Sequence, residues 1–207
     1  GKGVFEMVDT RDRIISAAID LFAEHGYTGT NLSNIAMNAG IKAYSIYNHF
    51  PSKSNILEHI VNMYKGYTMK NTISKQQLED MVECQPPKEI LRHMFYSYSD
   101  NDLDKYLKIM KIVLHEQYRD PIAIAFMKDY FFSELFNYTK IVLDTLVQHG
   151  KLRPVNTGYY AKLFHSLTLS ASIESMFYDL EEYQAMPRVT RSEVNEFLID
   201  QLVNPPG

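Results

Sequence analysis

Apolar residues recur every three to four positions through most of this chain. Ile14, Ile15, Ala18, Leu21 and Phe22 form the first stripe, with His25-Gly26 as a stop. Leu32, Ile35, Ala36 and Ala39 form a shorter one behind Thr30, a good N-cap. Asn38-Ala39-Gly40 ends it, because glycine takes up the left-handed conformation at little cost. Ile41, Ile46, Tyr47 and Phe50 then start a third pattern, which Pro51 closes. Further on the same period recurs at Ile56, Ile60, Met63 and Tyr67, at Leu91, Phe95 and Tyr98, and at Leu103, Tyr106, Leu107, Met110 and Leu114. Few stretches have a strand's alternation, so the pattern predicts an all-α protein.

The connections carry their own signals. A helix is expected from Asn55 to about Lys70, followed by a polar connection to Lys88. Within that connection Ser74-Lys75-Gln76-Gln77 has the capping-box form ahead of Leu78, Met81 and Val82, and Pro86-Pro87 suits the start of the next helix. A long helix is expected from Pro121 to His149, ended by Gly150. Another, capped by Asn156, runs to about Tyr183, and a last one from Ser192 to Val203. At 207 residues and 45% hydrophobic the chain holds a core large enough for a small N-terminal unit, residues 1–53, and a larger helical domain, residues 54–207.

Two short helices joined by a glycine turn are the geometry that lays a second helix into the major groove of DNA. On that second helix Lys42, Tyr44, Ser45, Asn48 and His49 fit the exposed side. Asn pairs with adenine, hydroxyls bond bases or phosphates, Lys meets phosphate or guanine, and Ala43 suits a thymine methyl. The plain alternative is a helical hairpin with a solvated face. Charge favours the DNA reading: no Asp or Glu occurs from His25 to Leu57, although the chain has 25 acids and a net charge of -4. Residues 1–60 nevertheless carry only five Lys or Arg against six acids, so binding rests on a few contacts and a dimer on two half-sites is expected.

Residues 9–60 closely resemble the N-terminal domain of the TetR family of repressors. The resemblance is carried by Arg13-Ile14-Ile15, Ala17-Ala18, Leu21-Phe22-Ala23-Glu24, Gly26-Tyr27, Thr30, Ile35-Ala36, Ala39-Gly40-Ile41, Ile46-Tyr47, His49-Phe50 and Ser52-Lys53. It implies three helices before a regulatory domain, the third reading the groove over about residues 44–49. Tyr47 and His49 match the family's backbone-contacting pair, Lys53 its phosphate lysine, and Thr30, next to Asn31, its second-helix phosphate contact. Lys42, Ala43 and Tyr44 depart from the usual pattern, Tyr44 standing for a frequent Gly, so the operator sequence does not transfer. The resemblance also implies repression of a pseudo-palindromic operator and a four-helix dimer interface. Here that interface would use Leu163, Leu167, Ala171 and Phe177 with Ser170, Ser172 and Ser175, then Val194, Phe197, Leu198 and Leu202. Without the resemblance both stripes read as intramolecular core.

The chain has 15 Tyr, 11 Phe and 10 Met, groups that line an adaptable pocket as readily as they fill a core. By family analogy Phe95, Tyr98, Met110, Phe126, Tyr130 and His165 are the candidates to hold a small apolar or aromatic effector. Displacing the helix from Asn55 to Lys70 would then move Lys53 and the reading helix together. A DNA-binding scaffold answering to a protein partner is the alternative: an enclosed cavity favours a small effector, a filled core a partner. An enzyme is not expected, because the seven His show no metal-ligand spacing and no nucleophile elbow or phosphate loop is present. Neither a cofactor nor a metal is implied. No apolar run approaches a bilayer span and the single cysteine, Cys84, cannot form an intramolecular disulfide, so a cytosolic protein with no membrane partner is expected.

Overall fold

The computed structural model describes residues 9–70, 72–95, 103–174, 176–178 and 191–203, and every regular element among them is helical. α1 (Thr10–His25) opens on Asp9, whose carboxylate accepts the Arg11 backbone N–H, and closes where the Gly26 N–H bonds back to Phe22. α2 (Leu32–Asn38), a 3-10 segment (Ala43–Asn48) and α3 (Lys53–Lys70) follow. Ser74 and Gln77 make both halves of the expected capping box on α4 (Lys75–Cys84), and α5 (Pro87–Phe95) starts on the second proline. α6 is Leu103–Glu116. The stretch expected as one helix from Pro121 to His149 is α7 (Pro121–Ala125), a π-helical segment (Phe126–Glu134) and α8 (Leu135–Gln148) in unbroken succession. At the head of α9 (Thr157–Glu174) the Asn156 side chain accepts the Tyr159 N–H at 3.1 Å. Its expected continuation to about Tyr183 falls largely on residues outside the described ones. α10 is Arg191–Val203.

The chain forms two compact units, Gly1–Lys65 with Asp104–Ile124, and Gly66–Leu103 with Ala125–Gly207. In unit 1 the first stripe of α1 is buried as expected, together with Ile35, Ala36, Ile46, Phe50, Ile56, Leu57 and Ile60. Three short helices bury little surface, and the unit enlarges its core with α3 and with Ile109, Met110, Ile112 and Val113 of α6. Lys108 donates to Asp20 of α1 at 2.9 Å, and the Tyr64 and Tyr106 rings meet edge to face. A boundary drawn after residue 53 leaves out these supporting segments, 54–65 and 104–124, because α6 finds its apolar partners some fifty or more residues back along the chain.

Unit 2 packs Leu78 and Val82 of α4, Ile90, Leu91 and Phe95 of α5, Val142, Leu143 and Leu146 of α8, Ala161 of α9 and Ile199 and Leu202 of α10 into one core. Charge fixes α10 against α5: Arg92 donates through both Nε and Nη2 to Glu196 at 3.0 and 2.9 Å, and Lys88 reaches Asp200 at 2.8 Å.

Candidate nucleic-acid interface

The turn between α2 and the 3-10 segment depends on Gly40, which has φ +69°, a left-handed value that a side chain would strain. Ahead of α2, a Cβ on Gly29 would run into the His25 carbonyl oxygen, so the approach from α1 also needs glycine. Beyond the turn Lys42 is extended, and the Ser45 N–H closes the first tight turn on the Lys42 carbonyl at 2.9 Å. The expected α-helical reading element is thus a 3-10 segment of 6 residues. At three residues per turn, positions i and i+3 lie one above the other. Ile46 faces the core, while Tyr44 and Tyr47 share an outward row at 67% and 59% exposure. Lys42, Ala43 and Asn48 are exposed as well, Ser45 and His49 are half-buried, and the Lys42 ammonium lies 5.9 Å from the Tyr44 ring.

Two expected phosphate contacts are placed differently. Thr30 is only 2% exposed, and its hydroxyl points inward to the carbonyls of Leu21 at 3.2 Å and Gly26 at 2.9 Å. In this arrangement it does not cap α2, and its hydroxyl is turned away from the surface. The hydroxyl is drawn instead to one carbonyl in the last turn of α1 and one in the loop behind it. The cap is Asn31, exposed, whose side chain accepts the Asn34 N–H at 2.9 Å. Lys53 donates to the carbonyls of Tyr27 at 2.6 Å and Thr30 at 2.8 Å, with its ammonium 4.3 Å from the Tyr27 ring centroid. Two of its three protons therefore hold the loop before α2 to the start of α3, and the third lies outside those two bonds. Burial, and then the Asp120 carboxylate, pushes the Tyr27 phenol up, with Glu116 adding to it against a hydrogen bond from Ser54. The end of α6 thus acts on the same loop.

Three residues near this surface escaped the sequence reading. Met37 is exposed on α2, out of step with the buried Ile35 and Ala36. The Arg13 guanidinium stands 3.6 Å from where a Gly40 side chain would begin. Arg11 lies over the Phe50 ring at 4.6 Å and beside His59, whose imidazole is pushed down by burial and then by the Arg11 charge, with Asp12 opposing. A visible signal was the pair of arginines in the first turn of α1, where the helix dipole disfavours cations.

In unit 2 the expected effector residues do not converge. Phe95 is buried against Phe164 with ring centroids 4.2 Å apart, and Phe126 packs on Tyr130, whose hydroxyl pairs with Thr68. Met110 is buried in unit 1, and Tyr98 lies outside the described residues. These aromatics fill the space that they were expected to line. His165 borders an open cavity of about 660 Å³ along α9, which it shares with Phe132, Lys162, Ser166, Leu169, Ser170, Ile173 and Glu174. The expected interface residues divide too. Leu198 and Leu202 are buried within their own unit, Leu202 in its core, because α10 turns them toward the rest of that unit. Phe197 at 61% and Phe177 face outward, Leu167 and Val194 are half-buried, and the side chain of Ala171 is outside the described set. Tyr159, Leu163 and Ile173 extend an exposed apolar strip along α9.

Residues 14–60 match the family model described as bacterial regulatory proteins, tetR family. Over 95% of its length the chain is 23% identical to the uncharacterized HTH-type transcriptional regulator YerO of Bacillus subtilis (strain 168), covering 64% of that protein. Over 99 residues, 48% of this chain and 53% of the relative, it is 32% identical to IcaR of Staphylococcus aureus, the HTH-type negative transcriptional regulator of the biofilm operon icaADBC. It therefore spans roughly half to two-thirds of the length of these curated relatives. Its fold is similar to that of AibR, solved in complex with isovaleryl coenzyme A and operator DNA, with TM-score 0.62 and 20% identity, covering 96% of this chain and 100% of that one. Residues 14–60 thus carry the N-terminal helix-turn-helix domain of the tetR family of bacterial regulatory proteins, and the all-helical fold of the chain is similar to that of AibR.

Proposed function

We propose that this chain is a ligand-responsive repressor that acts as a homodimer on a pseudo-palindromic operator in the cytosol. Residues 1–53 carry DNA recognition, and residues 54–207 carry regulation and dimerisation. The observation behind this is the 3-10 segment: an acid-free run that projects Tyr44, Tyr47 and Asn48 from a buried Ile46, with Lys53 fastened beneath it. Lys42, Ala43, Tyr44, Ser45 and Asn48 read bases, while Tyr47, His49, Asn31 and the free proton of Lys53 meet the backbone. With so few cations one copy binds weakly. The apolar strip of α9 with Phe177 and Phe197 supplies the face that pairs two copies. IcaR's role as a negative regulator supports repression, and AibR's complex with isovaleryl coenzyme A and operator DNA supports a small-molecule effector. An effector acts by preferring the conformer that fits the half-site spacing poorly, and a coupling of about 1–3 kcal/mol changes DNA affinity roughly 5- to 150-fold.

One observation favours a second reading. The core around Phe126 and Tyr130 is filled, as expected of a scaffold that answers to a protein partner, and the open groove at His165 is what weighs on the other side. Selection of bound sequences from a random double-stranded DNA pool, repeated across salt concentrations, tests the main proposal. An enriched pseudo-palindrome with a modest salt slope is the expected result. A folded protein that enriches nothing at low salt would overturn it.

A further inference from the structure

The first turn of α1 holds two exposed arginines whose charge no acid neutralises. Arg11 and Arg13, with Lys42 and Lys53, are four of the five Lys or Arg in residues 1–60. Lys88, Lys108, Lys140 and Arg92 each meet a carboxylate at 2.6 to 2.9 Å. Among the described residues none lies within ion-pair reach of Arg11 or Arg13, and the Asp9 carboxylate is engaged by the Arg11 backbone N–H. Cations in a first helical turn also meet the unfavourable end of the helix dipole. The pair therefore costs stability where it stands, offset for Arg11 by the Phe50 ring beneath it.

Both guanidinium groups are held beside the reading segment (Ala43–Asn48), one near each end of it. Arg13 Nη1 stands 3.6 Å from the place of a Cβ on Gly40, three residues ahead of Ala43, and its Nη2 donates to the Thr10 hydroxyl at 3.3 Å. Arg11 lies 4.6 Å from the ring centroid of Phe50, two residues past Asn48, and its Nη2 reaches Nδ1 of His59 at 3.5 Å. Helix geometry explains the divergence: side chains two apart point about 200° away from one another around the axis. First-turn side chains also lean past the start of their helix. Of the five N–H donors on each guanidinium only one is engaged, so most of each fork is open to solvent. Such a fork matches two phosphate oxygens at once.

A segment lying in the major groove has base edges beneath it and a sugar-phosphate backbone along either side. Cationic groups beside its two ends are placed for those backbones and not for the bases. We infer that Arg11 and Arg13 are DNA-contacting residues that clamp a phosphate at each end of the reading segment, adding affinity without base preference. The inference rests on the DNA-reading proposal above and extends its contacts to α1.

The test follows the affinity for a labelled duplex of arbitrary sequence by fluorescence anisotropy across salt concentrations, so it requires no operator. Arg11→Gln combined with Arg13→Gln should flatten the salt slope by about 1.8, the share of two phosphates, and weaken binding roughly 60-fold at about 0.1 M salt. Lysine at both positions should keep the slope, since it keeps the charge. A merely structural role would lower affinity at an unchanged slope. Should the loss of Arg11 unsettle the packing at Phe50, Arg13→Gln alone, an exposed position, should still flatten the slope by about 0.9. Selection from a random pool should return the same motif from the double glutamine variant as from the unaltered chain. A wild-type slope in folded Arg13→Gln, or a changed motif, would overturn the inference. An enriched pseudo-palindrome with an unmoved slope removes this clamp alone. An empty selection with a slope that flattens in the variants removes the sequence-specific reading and leaves the clamp standing.

Discussion

Units 1 and 2 are both built from amphipathic helices, yet they carry their chemistry in opposite ways. In unit 1 nearly all the groups assigned to DNA lie between Asn31 and Lys53, on one run of chain, and the residues that hold them out, Thr30, Ile46 and Phe50, lie in or beside the same run. In unit 2 the groove takes Phe132 from the π-helical segment and the rest from α9, while the orientation of His165 is set by Thr139 of α8. A surface that reads DNA must project, and a short local scaffold suffices for that. A cavity is whatever the neighbouring side chains fail to fill, so every element around it has a share in defining it.

The sharpest way to break this contrast is on α10, where residues five apart are assigned opposite roles. Leu202 is 2% exposed in the core of unit 2. Leu202→Ala should cost about 2–5 kcal/mol in urea denaturation. Phe197→Asp on the open face should leave the stability of the single chain within about 0.5 kcal/mol and convert a sedimenting dimer into a monomer. If Leu202→Ala instead dissociates the dimer at unchanged stability, α10 presents the other face.

Acid should separate the units next. His165 has its folded value depressed to about 4, from an ordinary value near 6.5, by burial and by Lys162, the charged group that faces it. Between those values the unfolded chain binds more protons than the folded one, so stability is full above about pH 6.5 and falls as the pH drops toward 4. At about 1.4 kcal/mol per unit the loss reaches roughly 3 kcal/mol, and it should vanish in His165→Phe. His59 in unit 1 is lowered too, in a more exposed setting, and should give a shallower decline of the same sign. Denaturation curves at several pH values measure both, and an acid limb that survives in His165→Phe would remove the buried imidazole as its source.

The same contrast explains what could be read in advance. Helix positions follow from local periodicity and caps, so Ser74 with Gln77, Pro87 and Asn156 mark real helix starts. The turn at Gly40 and the outward set Lys42, Tyr44 and Asn48 are equally local. Periodicity says that a residue faces inward but not what meets it there. Phe126 and Tyr130 therefore looked like pocket walls and proved to be filling. Leu198 and Leu202 looked interfacial and belong within their own unit. No signal near α6 reveals that its partner is α1, because Lys108 and Asp20 are 88 residues apart. The π-helical register of Phe126–Glu134 was hidden for a related reason, its residues being ordinary helix formers.

Within unit 1 the finest distinction is between a residue that touches DNA and one that only holds the reading element in place. Thr30 and Lys53 sit on one hydrogen-bonded junction and were expected to share the first role. Thr30→Val keeps the shape and removes the hydroxyl, leaving the Gly26 carbonyl without its partner at 2.9 Å, at a cost of about 1–2 kcal/mol in stability. Because no phosphate contact is lost, operator affinity should fall without any change in its dependence on salt. Lys53→Met also removes the ties to Tyr27 and Thr30, but the third ammonium proton goes with them. Its salt slope should flatten by about 0.9, the share of one phosphate. If both variants keep the wild-type slope, Lys53 is scaffold as Thr30 is, and backbone recognition falls to Tyr47, His49 and Asn31. A slope flattened by Thr30→Val would mean that the junction opens on DNA and hands its buried hydroxyl to a phosphate.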